Sequence, residues 1–256
     1  MGFPMELLFK PYKKEFDYSY SLGAYPTIEL LQGRPETALA VLTSSDLRAS
    51  PEISEIDQIC SSHRIGILAN DRLISRISAK ENCYVIGVFK KYSLSLDPGR
   101  PHVVLVNPSN MGNLGTIIRT VLGFGIRDLA IIRPGLDIFD PKVIRASMGA
   151  FFRINFQYFD LFSDYRMGYP EHDLYPFMLQ GKVSLNDLRP QASRPCSLIF
   201  GNEATGLDGT FLKIGTPVVI RHSDQIDSLN LPVAVGIAAY DFYSKNQFYS
   251  KETDVR

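Results

Sequence analysis

The sequence is short of every feature that would place it outside the cell or in a membrane. It has three cysteines, Cys60, Cys83 and Cys196, scattered and without a CxxC pair. An odd, unpaired set argues against a disulfide framework and fits a reducing compartment. No apolar run approaches the ~20 residues that a membrane-spanning helix needs. The opening stretch, MGFPMELLFKPYKKEF, mixes charges of both signs and lacks a long apolar core, so it does not read as a secretion signal. The expected location is cytoplasmic, with no membrane partner. An excess of charge of one sign is also lacking: 27 Lys and Arg balance 27 Asp and Glu. The strongly basic composition that would signal nucleic acid is therefore absent, and positive groups serving such a partner must be local. Residues 107–153 lean that way, with Arg119, Arg127, Arg133, Lys142, Arg145 and Arg153 against Asp128, Asp137 and Asp140. A solvated helix face gives the same count.

Three nucleotide and metal signatures are missing as well. Gly123-Phe124-Gly125 looks like the start of a dinucleotide fingerprint, but that fingerprint follows a strand and opens a helix. Here the glycines close a helix and precede a strand, so the order is reversed. Gly201 and Gly206 have P-loop spacing, yet Leu207 and Asp208 stand where Lys and Ser or Thr are required. His63, His102, His172 and His222 show no HExxH or other metal-ligand spacing, so no metal is expected.

What is present is an ordinary globular composition, 45% hydrophobic and 21% charged over 256 residues, enough for one large or two small domains. After an aromatic-rich lead-in to about residue 16, strands and helices alternate from Tyr25 onward. ALAVLT (38–43) is a compact apolar strand. Ser50 before Pro51 predicts a helix N-cap, and Ile53, Ile56 and Ile59 follow at helical spacing. Further strands are predicted at 65–69 and 84–89, with Asn70 or Asp71 capping a short helix between them. The stretch SLSLDPGRP (93–101) has turn chemistry and is the candidate linker. Beyond it, VVLV (103–106) is a fully apolar strand of the kind buried in a parallel sheet. A helix around 114–124 follows, then strands at 129–132, 175–179, 197–200 and 217–220, and a closing helix from about 229 to 244. The expectation is two α/β domains, 1–99 and 100–256.

Three stretches carry chemistry. NPSNMGNLGTIIRTVLGFG (107–125) runs from a strand into a helix, at the carboxyl end where α/β proteins place ligands. Asn110 and Asn113 can present amides, and Arg119 lies six residues beyond Asn113. Alone, this is equally a loop whose asparagines cap a helix. LIFGNEATGL (198–207) takes a strand into a polar turn, where Glu203 orients a partner or caps whatever follows. The stretch 220–243 leads through Ser228 into an apolar helix rich in alanine, with Ser228 a candidate N-cap.

Together the three resemble the signature blocks of SpoU/TrmH-type RNA methyltransferases, the ribose-methylating branch of the SPOUT superfamily. The first, N-x-G-x-x-x-R-T, is matched by Asn113, Gly115, Arg119 and Thr120. The second, G-x-E-x-x-G-L, is matched by Gly201, Glu203, Gly206 and Leu207. The third, S-L-N-x-x-x-A, is matched by Ser228, Leu229, Asn230 and Ala234, and Ser147-Met148-Gly149-Ala150 is similar to an S-x-G-A segment between the first two. The resemblance covers about residues 100–245. More loosely, residues 20–95 resemble the small ribosomal-protein-like domain with which many members grip RNA.

The resemblance implies a knotted C-terminal α/β domain with a parallel sheet and deep trefoil knot, preceded by an α/β RNA-binding domain, and a homodimer through the knotted domain. It implies S-adenosylmethionine as cofactor, held by the loops around Gly201, Ile220 and Leu229, with Phe200, Asn202 and Ser228 beside them. Methyl transfer to a ribose 2′-hydroxyl falls to Arg119, with Asn113, Glu203, Ser228 and Asn230 completing the site. Arginine stays protonated in proteins, so a phosphate clamp is easier to see for Arg119 than a general base. Ribosomal RNA is the favoured substrate because of the extra domain. The alternatives are transfer RNA, or a SPOUT module that binds RNA without catalysis. The chain departs from the family at Arg221-His222, where Pro-Met commonly follows the isoleucine, and at Asp224, where glycine is usual.

Overall fold

A computed structural model of the protein describes residues 9–78, 83–191 and 194–245; the first part of the lead-in lies outside them. The described residues form two compact units, one of those up to residue 92 with 137–153, the other of 93–136 with those from 154 onward. The division expected at residue 100 therefore differs in two respects. Residues 93–99, placed in the N-terminal domain, group with the second unit. The segment 137–153, placed by sequence order in the C-terminal domain, groups with the N-terminal unit.

That first unit has a four-stranded sheet in the order β1-β4-β2-β3: β1 (Tyr18–Leu22), β2 (Ala38–Thr43), β3 (Ile67–Ala69) and β4 (Val85–Lys90). Strand periodicity sorts its side chains. Ala40, Leu42, Ile86 and Val88 join one core with Leu73 and Ile74 of helix α3 (Asp71–Ile77). Val41 and Val85 face the other way, onto Ile28 and Leu31 of α1 (Ala24–Gly33) and Ile56 and Cys60 of α2 (Pro51–His63). The predicted caps are present: Ser50 Oγ accepts from Ile53 N at 3.4 Å, and Asn70 Oδ1 from Leu73 N at 2.9 Å. The segment 137–153, containing α5 (Pro141–Ala146), is fixed in this unit by aromatic packing and polar ties. Phe139, Phe151 and Phe152 cluster with Phe89, the Ser19 hydroxyl donates to the Phe139 carbonyl, and Arg153 pairs with Glu29.

The second unit is built on a parallel five-stranded sheet, β7-β6-β5-β10-β8: β5 (His102–Val106), β6 (Asp128–Ile132), β7 (Asn155–Phe159), β8 (Asp173–Pro176) and β10 (Cys196–Phe200). Helix α4 (Met111–Gly123) connects β5 to β6, and α6 (Phe162–Gly168) connects β7 to β8. A small parallel pair, β9 (Val183–Ser184) with β11 (Val218–Val219), stands beside it. The closing helix, α7 (Leu231–Ser244), packs on α4, where Gly236 meets Thr120. Its N-cap is Asn230 and not Ser228, because the helical hydrogen bonds begin with Ala234 N donating to the Asn230 carbonyl. From β5 the chain first builds outward through β6 and β7, then returns to the other side for β8 and β10. The boundary between β5 and β10 is thus a topological switch point, where such sheets bind ligands. No helix among the described residues is long and apolar enough to cross a membrane.

The amino ends of these strands carry a buried polar network. The His102 ring meets the Tyr165 hydroxyl and the Asp97 carbonyl, each at 2.9 Å. His172 meets the Ser197 hydroxyl at 2.9 Å and the Pro98 carbonyl at 3.0 Å, and Tyr165 and Ser197 join the two halves. Burial, reinforced by its histidine neighbour, pushes the His102 pKa down to about 3, and burial lowers that of His172 too. Both rings are neutral structural groups, at the opposite end of the strands from the site described next.

Candidate active site

At the carboxyl ends of β5 and β10 two loops are stitched together. Asn202 Nδ2 donates to the Asn107 carbonyl at 2.7 Å, while Asn202 Oδ1 accepts from the backbone N–H groups of Ala204 and Thr205. The turn after β10 closes through Gly206 N donating to the Asn202 carbonyl at 2.9 Å. Two glycines make this possible. Gly206 has φ +67°, and a Cβ on Gly201 would fall 2.1 Å from the Gly206 carbonyl carbon.

Glu203 forms the second tie. Its Oε2 accepts from Ser109 N at 3.0 Å and Ser109 Oγ at 2.7 Å; its Oε1 accepts from Asn110 N at 3.1 Å and Asn113 Nδ2 at 3.3 Å. Burial alone would raise the Glu203 pKa, but these hydrogen bonds prevail and hold it below the ordinary carboxylate value. The two asparagines divide their work. Asn110 caps α4, its Oδ1 accepting from Asn113 N at 3.0 Å. Asn113 gives its amide N–H to Glu203; because a carboxylate only accepts, this fixes the amide orientation and leaves Oδ1 as an acceptor. Glu203 caps no helix; the short helical turn at Gly209–Lys213 is capped by Asp208.

Beside these loops lies a cleft of about 250 Å³. Its walls come from the loop after β8 (Phe177 to Gln180), the turn after β10 (Phe200 to Leu207), the end of β11 with Ile220 and His222, and the start of α7 with Ser228, Leu229, Leu231 and Ala234. Phe177 and Phe200 stack with ring centroids 4.6 Å apart. All six residues expected around a cofactor, Phe200, Gly201, Asn202, Ile220, Ser228 and Leu229, line this cleft. Of the five expected to act in catalysis, Glu203 and Ser228 line it and Asn113 is tied to Glu203. Asn230 begins α7 outside the lining, and Arg119 is exposed on α4, also outside it. Six residues of helix place Arg119 about 9 Å beyond Asn113 and roughly 240° around the axis, away from the amide. The positive lean of 107–153 is partly spent, since Arg133 pairs with Asp160 and Arg153 with Glu29.

Sequence reasoning missed the β8 loop and Ser109. Phe177 to Gln180 reach the cleft because β8 pairs with β10, an adjacency no local pattern reveals. Ser109, between the motif's opening asparagine and its cap, gives Glu203 two hydrogen bonds.

A parallel sheet with a cleft at its switch point, closed by interlocked turns, is the architecture of SPOUT methyltransferases. The structure aligns with the AdoMet-bound rRNA methyltransferase from Sinorhizobium meliloti at a TM-score of 0.76, covering 91% of this chain and 89% of that one at 23% identity. It aligns with the SpoU methyltransferase AviRb from Streptomyces viridochromogenes at 0.77, covering 90% and 91% at 18% identity. Residues 100–240 match the model of the SpoU rRNA Methylase family, and the chain belongs to that family. Among curated relatives, the 23S rRNA (adenosine(1067)-2′-O)-methyltransferase of Streptomyces laurentii is 32% identical over 54% of this chain and 52% of its own. The tRNA (cytidine/uridine-2′-O-)-methyltransferase TrmJ of Salmonella typhimurium is 29% identical over 54% and 61%. The chain spans about half to three-fifths of the length of these relatives.

Proposed function

We propose that the protein transfers a methyl group from S-adenosylmethionine to a ribose 2′-hydroxyl of RNA, with ribosomal RNA as the substrate. The observation that carries this reading is that the second and third sequence blocks, through Gly201, Glu203 and Ser228, line one cleft at the sheet's switch point, with the first block tied to it by the Asn113–Glu203 hydrogen bond. The cleft suits the group: stacked aromatic and aliphatic walls for a nucleoside, with backbone and hydroxyl groups between them. Phe200, Gly201, Asn202, Ile220, Ser228 and Leu229 would hold the cofactor, within the knotted loops of the family. When bound, it supplies an electrophilic methyl group on a sulfonium.

The chain's own residues then have separate tasks. Glu203 is a positioning residue: it locks the β5 loop and orients Asn113. The free Asn113 Oδ1 is suited to accept the hydrogen bond of the attacking hydroxyl and hold its oxygen in line. Arg119, exposed and without a hydrogen bond or ion pair to the described residues, is free to clamp an RNA phosphate and, because it lies away from the Asn113 amide of its own chain, to stabilise negative charge on the attacking oxygen in a second copy's cleft.

A homodimer belongs to this reading. Val233, Ile237 and Tyr240 follow one another at helical spacing along α7 and are 50%, 38% and 59% exposed. Such a stripe suits a second copy, and α4, which packs on α7 and carries Arg119, would lie close to the partner's cleft. Ribosomal RNA is preferred because the rRNA enzyme from S. meliloti has counterparts for 91% of this chain. A solved structure titled for 2-OH methylation of C/U34 on tRNA covers only 59% of it, at 30% identity and a TM-score of 0.54. The test is incubation with tritiated S-adenosylmethionine and unmodified ribosomal or transfer RNA. Label is expected in ribosomal RNA, and Arg119→Ala should lose most of it while still binding cofactor. Label confined to transfer RNA would reverse the substrate assignment, and an Arg119→Ala protein of full activity would remove that residue from the mechanism.

A further inference from the structure

Most polar side chains along the cleft are already committed or fully open to solvent. Both ends of the Asn202 amide are taken up in joining the loops, and both Glu203 oxygens are occupied by the β5 loop. Gln180, Thr205 and Ser228 are exposed. His222 is different: it is half-buried in the cleft wall, and its ring is anchored by Nδ1 at 2.8 Å from the Ser223 carbonyl. A carbonyl oxygen only accepts, so Nδ1 carries the proton of the neutral ring. That leaves Nε2 as a bare lone pair, and His222 makes no other hydrogen bond with the described residues.

We propose that His222 is a specificity residue for the cofactor, its Nε2 accepting a hydrogen bond from an N–H or O–H donor of the bound nucleoside. The inference rests on the cofactor reading above and deepens it.

The experiment is calorimetric titration of the full chain with S-adenosylhomocysteine and with 5′-methylthioadenosine, which lacks the amino-acid portion. His222→Phe keeps a ring and removes the acceptor; His222→Gln keeps an acceptor near the position of Nε2. The Phe variant is expected to bind S-adenosylhomocysteine about tenfold more weakly, the size of one well-formed hydrogen bond, and the Gln variant within about threefold of the unmutated protein. An equal loss for methylthioadenosine places the donor on the nucleoside; a loss seen only with S-adenosylhomocysteine moves it to the amino-acid portion and overturns the assignment. A Phe variant that binds as tightly as the unmutated protein shows that the ring only packs, and also overturns it. If the unmutated protein binds neither ligand, the cofactor reading itself fails and this inference with it.

Discussion

Glu203→Gln removes one charge and almost no volume, so it isolates what the carboxylate does. Four donors converge on it: the Ser109 N–H and hydroxyl on one oxygen, the Asn110 N–H and the Asn113 amide on the other. A buried hydrogen bond to a charged group is worth about 1.5–3 kcal/mol, and partial exposure of this carboxylate brings each to the low end or below. Glutamine is best accommodated with its NH₂ toward Ser109, whose hydroxyl can turn and accept. The Ser109 N–H is then left unpaired, and the other two donors meet a neutral oxygen. The expected cost is about 1–2 kcal/mol, and about 3 kcal/mol for Glu203→Ala, which strands all four donors. In thermal melts this is a fall of a few degrees for Gln and clearly more for Ala. Because Glu203 acts through Asn113, the Gln variant should lose kcat with little change in the affinity for S-adenosylmethionine. Unchanged melting of both variants would refute the bracing role. A fall in cofactor affinity matching the fall in turnover would show that the carboxylate touches the cofactor directly.

Other predictions follow from the same structure. A fragment of residues 100–256 keeps segment 137–153 but loses the Phe89 and Tyr92 rings against which it packs. Exposing Ile138, Phe139, Val143, Ile144, Phe151 and Phe152, all buried, forfeits roughly 10 kcal/mol, comparable with the stability of a whole domain. The fragment should aggregate or bind a hydrophobic dye, and a monodisperse fragment that unfolds cooperatively would contradict the assignment of this segment. The His102 and His172 network predicts acid sensitivity. Both pKa values are lower in the folded chain than the ordinary 6.5, so their contribution is complete above that pH. It declines as pH falls below 6.5, for His102 down to about 3, as the unfolded chain takes up protons the fold refuses, at up to about 1.4 kcal/mol per pH unit for each ring. Buried Asp128, whose pKa is raised, works in the opposite direction over the more acid part of that range. Melting temperature should fall between pH 7 and pH 5, and His102→Gln should flatten the profile; an equal slope in that variant would exclude the ring as its source. Ile237→Asp on the exposed α7 stripe should convert a dimer to a monomer in sedimentation and lower methyl transfer, whereas an unchanged dimer would place the interface elsewhere.

The sequence carried much of this in local patterns. ALAVLT is a strand over the predicted residues because its apolar run is unbroken, and Ser50-Pro51 starts a helix because the hydroxyl caps and proline needs no N–H. The strand YSYSL was not legible. Both of its faces are buried, one by Tyr20 and the other by Ser19 and Ser21, not by aliphatics, and Ser21 fits only because Gly87 opposite has no side chain; a Cβ there would lie 2.4 Å from the Ser21 hydroxyl. The blocks named the right loops but not the roles within them. Asn110 and Asn113 are alike in one dimension, and only Glu203, 90 residues beyond Asn113 in the chain, separates the cap from the oriented amide. The place of 137–153 in the first unit rests on ring contacts across some fifty residues, which no periodicity records. Arg119 was legible as a motif residue, but its exposure depends on which face of α4 is covered by α7, a helix more than a hundred residues later.

The most direct test of the central claim is the chemical position of the transferred methyl group. Ribosomal RNA labelled by the full chain from tritiated S-adenosylmethionine is hydrolysed completely in alkali and the products are separated by size. A ribose 2′-O-methyl group blocks the hydroxyl that attacks the adjacent phosphate, so the account predicts tritium in alkali-stable dinucleotides. Tritium in mononucleotides would put the methyl group on a base and contradict ribose methylation.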